Sequence, residues 1–257
     1  EFRRVLFRSS SMAEALPRPD LSVVVPVMNE ADNIAPLIGE IAAALSGRVN
    51  FEIVYVDDGS TDGSFERLRS LQAEFPMLRA QRHRSRRGQS AAILTGVKAA
   101  RAAVIATLDG DGQNDPADIP ALLDAYRAHS DKQPLMLAGH RTTRRDSWIK
   151  RISSRIANRY RAGRLNDDTP DTGCGLKLFA RDVFLSFPAC DHMHRFLPAL
   201  MIRAGGIVRS VPVRHRPRER GSSKYGTWDR LVVGIADVRG VAWLIQRGVA
   251  AEVAEEI

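Results

Sequence analysis

Several residue types are scarce, and each scarcity removes a class of protein. The 257 residues include two cysteines, Cys174 and Cys190, with no CxxC pair and no Cys/His cluster at zinc spacing. A disulfide scaffold and a zinc ribbon are thereby excluded, and two free thiols in a reducing compartment are expected. Aromatic residues make up 6% of the chain, which argues against a base-stacking nucleic-acid module. No stretch reaches the ~18 uninterrupted apolar residues of a membrane-spanning helix. The best candidate, Leu231 to Val249, is broken by Asp237, Arg239 and Arg247, and so reads as a helix that packs on the body or lies on a bilayer. Internal repeats, low-complexity tracts and linkers are also missing, so the chain reads as a single domain.

What remains is a globular composition with a basic bias. The chain is 44% hydrophobic and 26% charged, enough for a sizeable core. Its net charge of +8 calls for an anionic partner: phosphate, nucleic acid or an acidic membrane surface. The excess is concentrated, since residues Arg141 to Arg164 hold nine Lys or Arg against one acid, Asp146. Residues 1–11 precede Met12 and match nothing that follows. They are expected to be a non-native N-terminal scar, with Met12 as the natural start.

Hydrophobic periodicity gives alternating strands and helices. Strands are expected at Leu21–Val27, Phe51–Val56, Met77–Gln81, Val104–Leu108, Leu135–Ala138 and Ile207–Val213. Helices are expected at Asn33–Leu45, Gly63–Phe75, Gly88–Ala102, Ala117–His129, Ser147–Gly163 and Asp191–Ala204, while Thr169–Phe179 reads as Gly-rich turn and Arg214–Lys224 as a polar loop. Alternation of this kind implies a parallel sheet with helices on both sides. Ligands of such sheets bind at the carboxyl ends of the strands.

Acidic and polar motifs fall at that edge. Asp109-Gly-Asp111 follows the fourth strand, and its i, i+2 spacing aims two carboxylates the same way, with Gln113 continuing the series. Oxygen ligands of this sort suit Mg²⁺ or Mn²⁺ held jointly with phosphates, although a solvated acidic turn has the same sequence. Asp57-Asp-Gly-Ser-Thr-Asp62 follows the second strand; Asp58 suits a ribose or base, and Asp62 suits a helix cap. Pro26-Val-Met-Asn-Glu30 closes the first strand as the wall of a nucleotide pocket or as a plain cap.

In that order and spacing, Pro26-Val-Met-Asn-Glu30, Val56-Asp-Asp-Gly-Ser-Thr-Asp62 and Asp109-Gly-Asp-Gly-Gln-Asn-Asp-Pro116 resemble the family-two glycosyltransferases, and within them the dolichol-phosphate mannose synthase group. Arg84 to Gly96, Gly139-His-Arg141, Asp171-Thr-Gly-Cys-Gly-Leu-Lys177 and Arg218 to Tyr225 continue the resemblance to about residue 226. It implies an α/β GT-A fold over residues 20–227, a Rossmann-like, mostly parallel sheet flanked by helices, followed by a C-terminal helix within 228–257. It also implies inverting, metal-dependent transfer from GDP-mannose or a UDP-sugar to a polyprenyl phosphate at the cytoplasmic face of a membrane.

Position by position, the resemblance places the nucleoside on Pro26, Met28, Glu30, Val56 and Asp58. The metal and diphosphate fall to Asp109, Asp111 and Gln113, with Gly110 also against the nucleotide sugar, and the phosphates of donor or acceptor to Arg141, Arg218 and Lys224. Arg151 and Arg155 would lie beside the acceptor phosphate. Trp148, Ile149, Ile152, Ile156 and Tyr160 form an apolar stripe beside the Arg151, Arg155, Arg159 stripe. Such a helix suits an anionic bilayer surface or its own core equally.

A phosphate acceptor would need no strong base. A sugar or lipid hydroxyl would need one, with Asp115 or Asp171 as candidates. Transfer to a glycan or lipid head group, and a non-catalytic basic membrane module, are the competing readings; no nucleic-acid motif accompanies the charge. Many relatives carry spanning helices after the Ser-Lys loop, where this chain has about thirty residues. A peripheral form or a shortened chain are both open, as is the oligomeric state.

Overall fold

The computed structural model describes residues 18–141, 160–217 and 227–247. Seven strands form one sheet: β1 (Leu21–Val27), β2 (Phe51–Asp57), β3 (Leu78–Arg82), β4 (Val104–Thr107), β5 (Leu135–Arg141), β6 (Lys177–Ala180) and β7 (Ile207–Val213). Their order is β3-β2-β1-β4-β6-β5-β7. All pairings are parallel except those of β6, which runs antiparallel to both β4 and β5.

All seven residues of β1 are buried, as expected of a β-branched strand covered on both faces. Alternation divides its side chains between two cores. Val23, Val25 and Val27 face α1 (Ala31–Leu45), α2 (Ser64–Leu71) and α4 (Ile119–Arg127). Val24 faces α3 (Gln89–Ala99), α5 (Arg181–Leu185) and α6 (Leu197–Arg203). The α1 stripe Ile34, Leu37, Ile38, Ile41 and Leu45 is buried throughout. Each such aliphatic side chain contributes about 1.5–3 kcal/mol relative to exposure.

The structure departs from the sequence expectation at several places. The segment read as turn over Thr169–Phe179 ends in β6, a four-residue strand defined by its pairings on both sides rather than by any period of its own. The helix expected over Asp191–Ala204 is a 3₁₀ turn, Met193–Arg195, followed by α6; left-handed His192 (φ 58°) interrupts it. Helices α2 and α3 end earlier than expected, α3 because Ala100 turns extended.

The last helix, α7 (Thr227–Gln246), packs Val238, Val241 and Ala242 against Leu165, Phe196 and Ala199. Residues 160–165 are helical. The rest of the expected basic helix, with Arg151 and Arg155, lies outside the described residues, as do residues 1–11 and the Arg218–Tyr225 loop with Arg218 and Lys224. No helix among the described residues is long and apolar enough to cross a membrane.

Helix α3 lies flush on the sheet because Gly96 has no side chain. A Cβ there would collide with the Val24 side chain and sit 3.2 Å from Cγ2 of Val56. Gly39 in α1 has nothing within 4 Å of that position. Gly96→Ala is therefore expected to destabilise by about 1–3 kcal/mol through overpacking. Gly39→Ala is expected to stabilise by about 0.5–1 kcal/mol through helix propensity. Urea midpoints of the two variants, moving in opposite directions, check both.

Candidate active site

The carboxyl ends of β1, β2 and β4 bring the three motifs to one edge of the sheet. The first two are laced together. Asn29, in the left-handed region (φ 54°), donates its N–H to Ser60 Oγ at 2.8 Å and accepts from Thr61 N–H at 2.8 Å through Oδ1. Asp62 accepts from Ala31 N–H (3.1 Å) and Ser64 N–H (3.0 Å), capping the starts of α1 and α2. Glu30 accepts from Asn33 Nδ2 at 2.7 Å.

Asp58 is committed to protein groups. Its Oδ1 accepts from Arg87 N–H (2.7 Å) and meets His83 Nδ1 at 2.8 Å, and its Oδ2 accepts from Gly88 N–H (2.7 Å). His83 Nε2 lies 2.9 Å from Thr95 Oγ1 on α3. Asp58 thus fastens the loop between β3 and α3, with three contacts on its carboxylate. Val56 is completely buried and Pro26 is buried in β1, so both can line a nucleotide pocket only through backbone. Met28 and Glu30 are half-buried at the edge.

Beyond β4, two glycines allow a tight seat for Asp109. A Cβ on Gly110 would strike the Val27 side chain and lie 2.8 Å from the Pro26 carbonyl, and one on Gly175 would overlap the Asp109 carboxyl. Gln89, the first residue of α3, donates Nε2–H to Asp109 Oδ1 at 2.8 Å. Burial, then the charge of Asp111, push the Asp109 carboxyl up to about 6, while Lys177, Arg141 and Gln89 act the other way. Asp111 accepts from Gln113 N–H at 3.1 Å. The Gln113 side chain lies 3.5 Å from the Arg216 carbonyl, and the Gln113 carbonyl accepts from Arg216 N–H at 2.9 Å.

The cationic side of the site is partly self-neutralised. Arg141 closes a two-pronged pair on Asp171, with Nε–Oδ2 2.6 Å and Nη2–Oδ1 2.7 Å. Burial alone would lower the Arg141 pKa, but Asp171 outweighs it and raises it. Arg216 bridges Asp115 and Glu40, each at 2.8 Å, and Arg214 adds a 3.4 Å contact to Asp115. Both carboxylates weighed as general bases are thus held by arginines.

The sequence reading missed Lys177, buried at the head of β6, whose ammonium donates to the carbonyls of Thr172 (3.1 Å) and Cys174. Burial lowers its pKa. It also missed Gln89 and Arg216, whose partners are distant in sequence. Cys174 and Cys190 are free thiols.

Asp109 and Asp111 fit a divalent cation. The charge of Asp111 raises the cost of ionising Asp109, and a cation beside them relieves it. Among the described residues no group of three or more His, Cys, Asp or Glu could hold a metal. Two carboxylates leave the remaining positions to phosphate oxygens, water or an amide such as Gln113, the pattern that suits Mg²⁺.

The raised Asp109 pKa has a consequence for stability. The folded carboxyl keeps its proton up to about pH 6, against about 4 in an unfolded chain. Ionisation therefore costs stability progressively as pH rises from about 4 through 6. In metal-free protein, Asp109→Asn is expected to stabilise by about 1–2 kcal/mol at pH 7.5, after discounting for partial solvent screening. The gain should vanish near pH 4. Thermal melts in EDTA across this range check the expectation.

Comparisons with known proteins bear on this arrangement. The family model described as "Glycosyl transferase family 2" matches residues 22–186. The chain is 38% identical over 217 residues to a dodecaprenyl-phosphate galacturonate synthase of Rhizobium johnstonii, covering 80% of this chain and 62% of that protein. It is 36% identical over 209 residues to an undecaprenyl-phosphate 4-deoxy-4-formamido-L-arabinose transferase of Edwardsiella ictaluri, covering 80% and 63%. The chain thus spans less than two thirds of the length of these curated relatives. Among solved structures, a Pyrobaculum calidifontis mannosyltransferase in complex with GDP-Man and Mn²⁺ superposes with TM-score 0.65 at 20% identity, covering 91% of this chain and 66% of that one. Glucosyl-3-phosphoglycerate synthase of Mycobacterium tuberculosis, with Mn²⁺, UDP and glucosyl-3-phosphoglycerate, gives TM-score 0.62 at 19% identity, covering 91% and 81%. These two likenesses establish a shared GT-A fold. With the matched segment running from β1 into α5 and holding the three strand-end motifs, the chain belongs to glycosyl transferase family 2.

Proposed function

We propose that the protein transfers a sugar, with inversion, from a nucleotide diphosphate donor to a polyprenyl phosphate. One observation carries the choice of acceptor: Asp115 and Asp171 are both closed by arginine side chains. A hydroxyl acceptor needs a carboxylate free to take its proton. An acceptor phosphate is already an anion and needs only alignment and charge control. The polyprenyl-phosphate acceptors in the relatives' names support the same reading.

In this reading Asp109, Asp111 and Gln113 would hold, beside the donor diphosphate, a Mg²⁺ or Mn²⁺ ion, which would supply neutralisation of charge growing on the leaving nucleoside diphosphate. Met28 and Glu30 flank the nucleoside, with Pro26, Val56 and the Asp58-held loop shaping its pocket. Arg141, Arg218 and Lys224 meet phosphates, and Arg151 and Arg155 approach the acceptor's. Asp171 holds the Arg141 guanidinium in plane, so one fixed side of it is presented to an anion.

Membrane docking at the cytoplasmic face fits the last helix. Trp243 is 57% exposed, the Arg247 guanidinium lies 6.0 Å from its ring centroid, and exposed Arg239 precedes it by one turn. An aromatic ring flanked by cations suits an anionic bilayer interface.

The test incubates labelled UDP- and GDP-sugars with Mn²⁺ and either undecaprenyl phosphate or undecaprenol. Label is expected to enter lipid only with the phosphate. Transfer to the alcohol, or to a glycan alone, contradicts the reading. Asp111→Ala is expected to lower turnover by roughly 10²–10³-fold or more with an unchanged circular dichroism spectrum. Unchanged turnover would remove the metal assignment.

A further inference from the structure

Lys177 is an unusual residue for its position. Its strand neighbours Leu178 and Phe179 are fully buried and apolar, and Lys177 is itself buried. Taking an ammonium out of water is costly unless it is paired and hydrogen-bonded. An apolar residue at the head of β6 would avoid that cost.

Topology places this lysine at the donor edge. Because β6 runs against its neighbours, its first residue falls where β4 and β5 approach their ends, in register with Thr107 and Ala138. The ammonium cannot swing freely, since it donates to the carbonyls of Thr172 and Cys174. The same turn is fixed from the other side by Thr107, which donates Oγ1–H to the Gly175 carbonyl at 2.7 Å. Gly175 in turn lies directly against the Asp109 carboxyl.

Burial weighs against the ammonium, and nearby charges act on it in both directions. The groups that act on it are Cys174, Asp109, Asp171 and Arg141. Asp171 already gives both carboxylate oxygens to Arg141. Asp109 is the carboxylate left for Lys177 to balance.

We propose that Lys177 is a resident cation of the donor site, a positioning residue whose fixed charge beneath Asp109 weakens divalent-metal binding and strengthens nucleoside-diphosphate binding. It acts through the field it sets up and through the turn it ties, without touching the reacting atoms. A preorganised charge of this kind favours the departing diphosphate and needs no rearrangement during the reaction. It also keeps two ionised carboxylates together before a metal arrives. The proposal rests on the donor-site reading above.

The test exploits opposite signs. Mn²⁺ alone, and UDP and GDP in EDTA, are titrated calorimetrically into wild type, Lys177→Met, Lys177→Gln and Lys177→Arg. The glutamine can still donate to one of the two carbonyls but has no charge. The Met and Gln variants are expected to bind Mn²⁺ roughly three- to tenfold more tightly, and the better-bound diphosphate more weakly by a similar factor. The arginine variant should return both values towards wild type. A purely structural lysine would weaken both ligands together, and that result overturns the proposal. So does an absence of change, or a failure of both neutral variants to fold. If wild type binds neither Mn²⁺ nor either diphosphate, the donor-site reading falls and this proposal with it. If wild type binds both and the shifts are parallel, only the Lys177 proposal falls.

Discussion

Two carboxylates two residues apart, Asp109 and Asp111, are the constraint around which this edge of the sheet is built. Like charges brought together at a half-buried place are unstable on their own, and the surrounding fold shows how the conflict is contained. Gly110 lets the turn close onto the end of β1, and Gly175 leaves room for the Asp109 carboxyl. Gln89 donates to it from the start of α3, and the charge of Lys177 favours its ionised form. Segments distant in sequence, the start of α3 and the turn into β6, therefore converge on one side chain.

A second principle is the separation of holding from exposing. Asp58, Asp62, Asp115 and Asp171 all lie at the binding edge, and each is engaged with protein donors. These acids fix loops: Asp58 the segment entering α3, Asp62 the starts of α1 and α2, Asp115 the chain leaving β7 through Arg214 and Arg216, Asp171 the guanidinium of Arg141. Asp109 instead accepts from the neutral Gln89 amide, and Asp111 from the Gln113 backbone N–H. Burial and the charge of Asp111 hold the Asp109 carboxyl above its ordinary value, whereas Asp115 is held below its own. The lowered Asp115 value reflects burial outweighed by the Ala117 amide and by Arg216.

Much of this was legible in the sequence, for physical reasons. Buried parallel strands need unbroken β-branched runs, so β1 appears with the bounds expected of it; β7, a largely exposed edge strand, also keeps its expected bounds. Helix α1 carries its apolar stripe at helical spacing. The strand-end acids were visible because the carboxyl edge of a parallel sheet is where ligands bind. Other features left no local trace. β6 has four residues and owes its existence to partners on both sides. The Arg141–Asp171 pair spans 30 residues, and the bonds of Asp58 span 25 to 30. Such partnerships are set by how strands cross the sheet, and no reading of neighbouring residues could supply them. Lys177 was overlooked for the same reason: its meaning depends on the reversed direction of β6.

The central claim is that the Asp109–Asp111 pair is a metal seat at a nucleotide-diphosphate site. The most direct measurement is an anomalous difference map from crystals soaked with Mn²⁺ and a nucleoside diphosphate. The account predicts one manganese peak within coordination distance of both carboxylates and of the diphosphate. A peak elsewhere, or diphosphate bound with no metal between it and these two acids, would contradict it.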